Sequence, residues 1–375
     1  MDAITPPPTT SGYDLWLEHE GLPVIGGHGV EDAAEVPREP WARLGGRGAY
    51  LKFPGLEGMT GLFVAEIPGG GMLEPEKHLY EELIYVVKGI GSTEVWRDEK
   101  HKQRFEWSEG GLFACPVNTW HRFINGSREP AILLGCTNAP MVFDIFHNID
   151  FVLNCDYAFD DRYEAQEDYF TSEGKRYRKG RSAAANVWET NFIPDTRVAF
   201  LEDSGDTKVV GGHKSVLFEM GHNILIGHIT DWPVGRYHRG HYHPAGAALV
   251  ILRSKGYSLM WPKEAGIRPY ENGNEGSIVR VDWKVNGVFT PPSDWFHQHF
   301  NTGPEPARQL AFHYSSLLHR LEFRDGGAEQ ERRYLIPLRE GGTLIGAQEE
   351  DPAIQRNYEA ELQREGIPCT LPVVA

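Results

Sequence analysis

Two sets of residues in this 375-residue chain could hold a divalent cation. The first is Glu76, His78 and Glu82, completed further on by His121. The second is His241 and His243, completed by His297. Residues i and i+2 of a strand project to one face, so Glu76 with His78, and His241 with His243, each present two ligands together. Two carboxylates and two imidazoles make a hard, acidic site suited to Mn, Fe(II) or Ni. Three neutral imidazoles leave the full 2+ charge on an ion and up to three positions open. That suits an anionic chelating substrate and a further small molecule such as O2.

The two sets are copies of one pattern. Gly70-x5-Glu76-x-His78-x3-Glu82 aligns without a gap on Gly235-x5-His241-x-His243-x3-Ala247, at an offset of 165 (241 − 76). The same offset carries Gly91 onto Gly256 and Trp96 onto Trp261. Beyond Trp261 the offset becomes 176 (297 − 121), and it carries Trp107 onto Trp283, Pro116 onto Pro292, His121 onto His297 and Asn125 onto Asn301. A register kept this long means a duplicated domain, and the positions where the copies differ point to the chemistry.

The elements that must position these residues read as short strands. Leu83 to Val87, Ala131 to Leu134 and Ala247 to Leu252 are apolar or β-branched and too short for helices, and 42 Gly with 25 Pro favour turns. The expected organisation is an N-terminal arm over 1–45 that packs on the other domain or another subunit, a first domain over 46–150 and a connector over 151–210 with a helix. A second domain follows over 211–325, then a tail over 326–375. One tail helix is expected, with Asp351 as its N-cap, Pro352 at its first position, Ile354, Tyr358 and Leu362 on one face, and Gly366 ending it. A formal net charge of −16 with no basic run argues against nucleic acid, and no apolar stretch is long enough to cross a bilayer. The first residues lack the basic and apolar regions of a secretion signal. Four scattered cysteines (Cys115, Cys136, Cys155, Cys369) read as reduced thiols, which together predicts a cytoplasmic protein.

The motifs resemble those of the cupin superfamily: Gly70, Glu76/His78, Glu82 and Gly89 as its first motif, then Gly110, Pro116, His121 and Asn125 as its second. Asn118 stands where the family has Gly. The resemblance implies an all-β fold of two cupin (double-stranded β-helix, jelly-roll) barrels with minor helices in connector and tail, and metal at Glu76, His78, Glu82 and His121 and at His241, His243 and His297. In the second copy Ala247 replaces the motif Glu, Ser254 replaces the following Gly, and Gly256 is expected to supply the turn. This second-copy stretch, with Thr290-Pro291 and Trp295-Phe296-His297-Gln298-His299, is similar to that of gentisate 1,2-dioxygenase and its ring-cleaving relatives. Those enzymes carry their working metal in the first cupin, whereas here the three-His site is in the second. The whole-chain pattern, including Tyr80-Glu81-Glu82, resembles a broad bacterial bicupin group.

The reading is therefore a metal-dependent bicupin enzyme. In its leading form it is an Fe(II) dioxygenase that cleaves a C–C bond of a small aromatic or enolic acid with O2. His299 would handle protons, because its unperturbed pKa lies near neutrality. Arg253 would bind the substrate carboxylate if no bulge breaks its strand parity. His238 has the wrong parity to join His241 unless a bulge intervenes. Trp261, Trp283, Trp295, Tyr257 and Phe289 would line the pocket. One alternative places Mn or Fe at the first site for non-oxidative chemistry, as in a bicupin resembling ureidoglycine aminohydrolase. The other is a non-catalytic ligand-binding bicupin. A homodimer or larger homo-oligomer is expected.

Overall fold

A computed structural model describes residues 10–370 except 57, 99, 179–185, 205–207, 244–246, 315, 317 and 320–329. The end expected for the second domain, near 325, and the first nine residues of the arm lie outside the described residues.

The protein is mainly β, and each copy is a pair of facing sheets. In the first copy one sheet runs, in spatial order, Arg47–Leu51, Gly61–Ile67, Ala131–Thr137, Glu82–Lys88 and Leu112–Cys115. The facing sheet runs Trp120–Asn125, Ile90–Trp96 and Lys102–Ser108. The second copy repeats this order as Lys214–Glu219, Ile226–Trp232, Ala307–His313, Ala248–Arg253 and Val288–Phe289, faced by Phe296–Asn301, Gly256–Trp261 and Val279–Trp283. Each copy is thus the double-sheet jelly roll expected from the sequence, its two sheets facing each other.

The residues that both copies keep have a visible reason. A Cβ at Gly91 would lie 2.4 Å from the Trp107 ring, and one at Gly256 would lie 2.6 Å from the Trp283 ring. Each indole lies flat across its neighbouring strand because Gly is there. Its Nε1–H then donates to a hydroxyl, Thr93 in one copy and Ser258 in the other.

The copies are not separate beads. One apolar core takes Leu51, Val64, Leu83 and Leu134 from the first and Val216, Ile229, Val250, Leu310 and Phe312 from the second. Segments also cross. Gly29–Val30 of the arm pairs with Val288–Phe289 of the second copy, and Phe192–Ile193 of the connector pairs with Leu112–Cys115 of the first. Between copies, the buried Glu81 carboxylate accepts the amides of Ile224 and Leu225 at 3.0 Å and pairs with Arg162 at 3.2 Å.

Helices occur in the connector and tail, as expected, and in other places too. Gly12–Glu20 lies in the arm, capped by Ser11 and stopped by left-handed Gly21; the Pro-rich residues before it hide so short a helix from sequence periodicity. Helix Ile149–Asn154 runs into the start of the connector, where a helix was expected, helix Ala139–Phe146 precedes it, and the connector also contributes strands (Lys175–Arg178, Asn186–Glu189). In the tail, Pro352–Glu365 is helical, with Asp351 accepting the Ala353 amide and Ile354, Tyr358 and Leu362 buried against Tyr257, Trp261 and Phe300. Ser254, not Gly256, takes the left-handed turn at φ 76°, its Oγ tied to Asn301 and the Glu305 carbonyl. Among the described residues no helix is long and apolar enough to cross a membrane.

Candidate metal centres

One backbone device builds both sites. Glu76 bridges His121 and His241 bridges His297 as isolated antiparallel pairs. The next bridges, Met72 with Ile124 and Tyr237 with Phe300, show four residues on one side facing three on the other. Each copy therefore carries one extra residue in the strand that leads to its ligand pair, a bulge that re-aims the side chains.

In the first copy, ligand atoms of Glu76, His78, Glu82 and His121 lie within 4.8 Å of one another, and all four residues are buried. His121 Nε2 is 3.4 Å from Glu82 Oε2 and 4.0 Å from Glu76 Oε1, and His78 Nε2 is 3.8 Å from Glu82 Oε1. Bonds of roughly 2.0–2.3 Å to one ion would produce such spacings. His78 Nδ1 donates to the Tyr80 carbonyl and His121 Nδ1 to that of Thr119, which leaves each Nε2 facing inward. His78 Nε2, His121 Nε2 and Glu82 Oε2 are buried without a hydrogen-bond partner. A divalent cation is what such a set lacks, so the residues fit one.

Arg43 holds Glu76 at 2.5 Å and forks onto Glu20 at 2.9 and 3.0 Å, between the rings of Trp16 and Trp41. Beside the cluster opens a cleft of about 310 Å³, open solvent included, lined by Arg43, Glu76, Tyr80 and Glu82. Asn118 supplies the turn that the motif's Gly would have made, at φ 52°.

In the second copy His241, His243 and His297 offer atoms within 4.8 Å of one another, and no other His, Cys, Asp or Glu among the described residues joins them. The His297 ring lies 4.4 Å from that of His241 and 4.7 Å from that of His243. His241 Nδ1 donates to the Arg239 carbonyl and His297 Nδ1 to that of Trp295, so both Nε2 lone pairs remain for an ion. This donor set also fits a divalent metal, without charge compensation.

The electrostatics separate the two sites. Burial alone would raise the Glu82 carboxyl, but His121 and His78 outweigh it and hold it below the usual range. Burial would lower His121, yet Glu82 and then Glu76 raise it above its ordinary value. Burial drives His241 and His297 well below theirs, helped by Lys208 at the first and by His241 at the second. His121 therefore keeps its proton to higher pH than an ordinary histidine, and His241 and His297 lose theirs at lower pH. Metal uptake should release more protons at the first site than at the second. Calorimetric titration of metal into His78→Ala and His297→Ala proteins, in buffers of different ionisation enthalpy, counts them. Equal release from both would contradict this assignment.

Two supporting assignments are corrected. Arg253 does not reach the triad. A bulge between Ile251 and Arg253 breaks the parity, and the guanidinium is taken by Asp231 and the Pro306 carbonyl. His299 lies beside His297, ring centres 5.6 Å apart, but burial, then Lys208 and His243, push its pKa down to about 3. It is a neutral hydrogen-bonding group there, not a base poised near neutrality. Trp283 donates to Ser258 Oγ at 3.1 Å, and Ser258 Oγ and His299 Nδ1 share a hydrogen bond at 2.7 Å that fixes the imidazole's orientation. The bulge turns His238 to the same interior, its ring 5.3 Å from that of His299. Of the aromatics expected to line the pocket, Phe289 and Trp283 face this interior, while Tyr257 and Trp261 pack against the tail helix.

Sequence reading missed Ser258, Lys208 and the tail. Leu344 bridges His241, Ile345 N donates to the Gly240 carbonyl at 2.7 Å, and the Tyr334 ring lies 6.1 Å from that of His241. Nothing local in the sequence signals this return of the tail.

With fold and sites in hand, the protein stands as a two-copy jelly roll with a candidate metal cluster in each copy. Residues 63–136 match the family model of the cupin domain, and the second copy duplicates that strand order, so the fold is that of a bicupin. No curated protein matches the chain. Among solved structures it is similar to oxalate decarboxylase of Bacillus subtilis. A tryptophan-to-tyrosine variant of that enzyme is 12% identical, with 78% of each chain covered and a TM-score of 0.46. A glutamate-to-alanine variant is 12% identical over 79% of each chain, also at a TM-score of 0.46. The enzyme at pH 4.6 is again 12% identical, with 78% of this chain and 77% of that one covered and a TM-score of 0.46.

Proposed function

We propose that the protein is a metal-dependent bicupin enzyme whose C-terminal triad, holding Fe(II), is a dioxygenase centre for a small aromatic or enolic acid. The ligand set carries this reading: three imidazoles and no carboxylate meet at one point, so an ion there keeps its charge for an anionic guest. Iron would supply Lewis acidity and a meeting place for O2, and both oxygen atoms would enter the product as the C–C bond beside the chelated group breaks. The protein's part is to hold His241 and His297 by their Nδ1 bonds and to orient the His299 ring through its Nδ1 bond with Ser258. Phe289 and Trp232 keep the interior apolar. The resemblance to gentisate 1,2-dioxygenases at this stretch supports the same chemistry.

A second reading places Mn in the N-terminal cluster, with hydrolytic or isomerising chemistry. The cleft that opens on Glu76 and Glu82 favours it. The self-association expected from the sequence finds support in the exposed Ile145, Phe146 and Phe151 on neighbouring helices.

The test is oxygen uptake by anaerobically iron-loaded protein offered hydroxybenzoates, catechols and 1,3-dicarbonyls. Uptake should vanish in His241→Ala and persist in Glu82→Ala. Metal-dependent turnover without O2, with the opposite pattern in the variants, would replace the first reading by the second. No metal-dependent turnover with any compound would sink both.

A further inference from the structure

The cleft beside the first cluster has a charge balance that the triad lacks. Among the described residues that line it, only Arg43, Glu76 and Glu82 carry formal charge. Behind Arg43 stands a fourth charged group, Glu20, whose side chain is 2% exposed. The N-terminal arm supplies both members of this pair, Glu20 as the last residue of helix Gly12–Glu20 and Arg43 from the segment that follows.

Arg43 is engaged on both sides of its fork. Nε and Nη2 donate to the Glu20 carboxylate at 2.9 and 3.0 Å, and Nη1 donates to Glu76 Oε2 at 2.5 Å. Glu20 is fixed in turn by the Trp41 Nε1–H at 2.6 Å and the Tyr50 hydroxyl at 3.2 Å. The guanidinium lies 5.0 Å from the centre of the Trp16 ring and 5.6 Å from that of Trp41. A carboxylate arriving from solvent would have to displace a buried ion pair that is already bidentate. Glu76 keeps its other oxygen for the cluster, with Oε1 4.0 Å from His121 Nε2.

The charges therefore close. The carboxylates of Glu76 and Glu82 would balance a divalent ion held with His78 and His121, and Glu20 balances Arg43. The walls are aromatic, with Trp16, Tyr50, Phe63 and Tyr80 among them. In such surroundings an unpaired charge is costly, and a hydrogen-bonded neutral group is not. An anion would bring a charge that nothing there offsets. At the triad no carboxylate joins the three imidazoles, so an ion there would keep its whole charge.

We propose that the N-terminal centre takes an uncharged polar guest, a small amide or other carbonyl compound, and that the Glu20–Arg43 pair enforces this choice by leaving no free positive charge for an anion. This guest belongs to the second reading, since it presupposes a metal in the first cluster, and it gives that site a substrate class. A carbonyl oxygen meets a cation as a neutral donor, and Tyr13 and Tyr80, which line the cleft, carry hydroxyls that can pair with the rest of the guest. The cleft, about 310 Å³ with open solvent included, admits only a small molecule.

The probes are glycolamide and glycolate, which offer an ion the same pair of oxygens and differ by one charge. Each is titrated into Mn(II)-loaded His297→Ala protein, in which the first cluster alone should hold the ion, and displacement of metal-bound water is followed by water-proton relaxation. Free Mn(II) attracts the anion more strongly. The protein should reverse that order and bind glycolamide about tenfold tighter than glycolate. Glu20→Gln keeps an acceptor for Arg43 but leaves its charge unbalanced. It should raise glycolate affinity about tenfold, with glycolamide affinity and Mn(II) content unchanged. Preference for glycolate in the His297→Ala protein, no binding of either probe, or a glycolate affinity that Glu20→Gln fails to raise overturns the proposal. Failure of Mn(II) to bind removes the second reading and the guest together. Mn(II) bound with glycolate preferred leaves the metal centre standing and defeats the choice of guest alone.

Discussion

Alanine in place of His297 will empty the C-terminal centre and abolish any turnover that depends on it. His297 is buried, its Nδ1 is fixed on the Trp295 carbonyl, and its ring touches both other members of the triad. Loss of a residue that merely orients a ligand costs about 10- to 100-fold in metal affinity, so loss of one ligand in three should cost at least the upper figure. Elemental analysis of gently purified protein should find two ions per chain in the unaltered protein. One should remain in His297→Ala, the other in His78→Ala, and none in the double variant. If His297→Ala keeps both ions, the triad is not a metal centre. If His78→Ala keeps both, the Glu76, His78, Glu82 and His121 cluster is not one.

The second large effect concerns stability. Glu81→Ala should destabilise the fold by roughly 3 kcal/mol, because it leaves two buried amides and a half-buried guanidinium without an acceptor. The amides belong to Ile224 and Leu225, across the junction between copies. Burial, the largest influence on Glu81, still raises its carboxyl despite those amides and Arg162. With its folded pKa above the unfolded one, the ionised form costs stability as pH rises through that folded value. Glu81→Gln, which keeps an acceptor and removes the charge, should therefore come close to the unaltered protein. Urea unfolding at pH 7 compares the three, and equal losses for Ala and Gln would show that the carboxylate itself matters.

How far the sequence carries this molecule follows from which interactions are local. The ligand sets were legible because period-2 strand geometry and a fixed duplication offset both act on short stretches, and the structure brings each set within reach of one ion. The tail helix was legible because its cap, proline and terminal glycine lie within one segment. Arg253 and His238 were misjudged for a single reason. Strand parity flips at a bulge, and a bulge is set by pairing with a distant strand, between Ile251 and Arg253 in one case and beside His299 in the other. His299 was misjudged because its pKa depends on burial and on Lys208, neither of which has a local signature. Lys208 itself could have been found, since the offset that matched the ligands also matches it to Arg43.

The crossed segments have a consequence for how the protein is made. When Leu112–Cys115 has left the ribosome, the strand that will cover its edge, Phe192–Ile193, is still to be synthesised. The arm strand Gly29–Val30 waits longer, until Val288–Phe289 exists. The nascent first half thus carries a bare sheet edge and an unpaired Gly29–Val30 strand while most of the second half is translated, a state in which neighbouring chains on one messenger can pair wrongly.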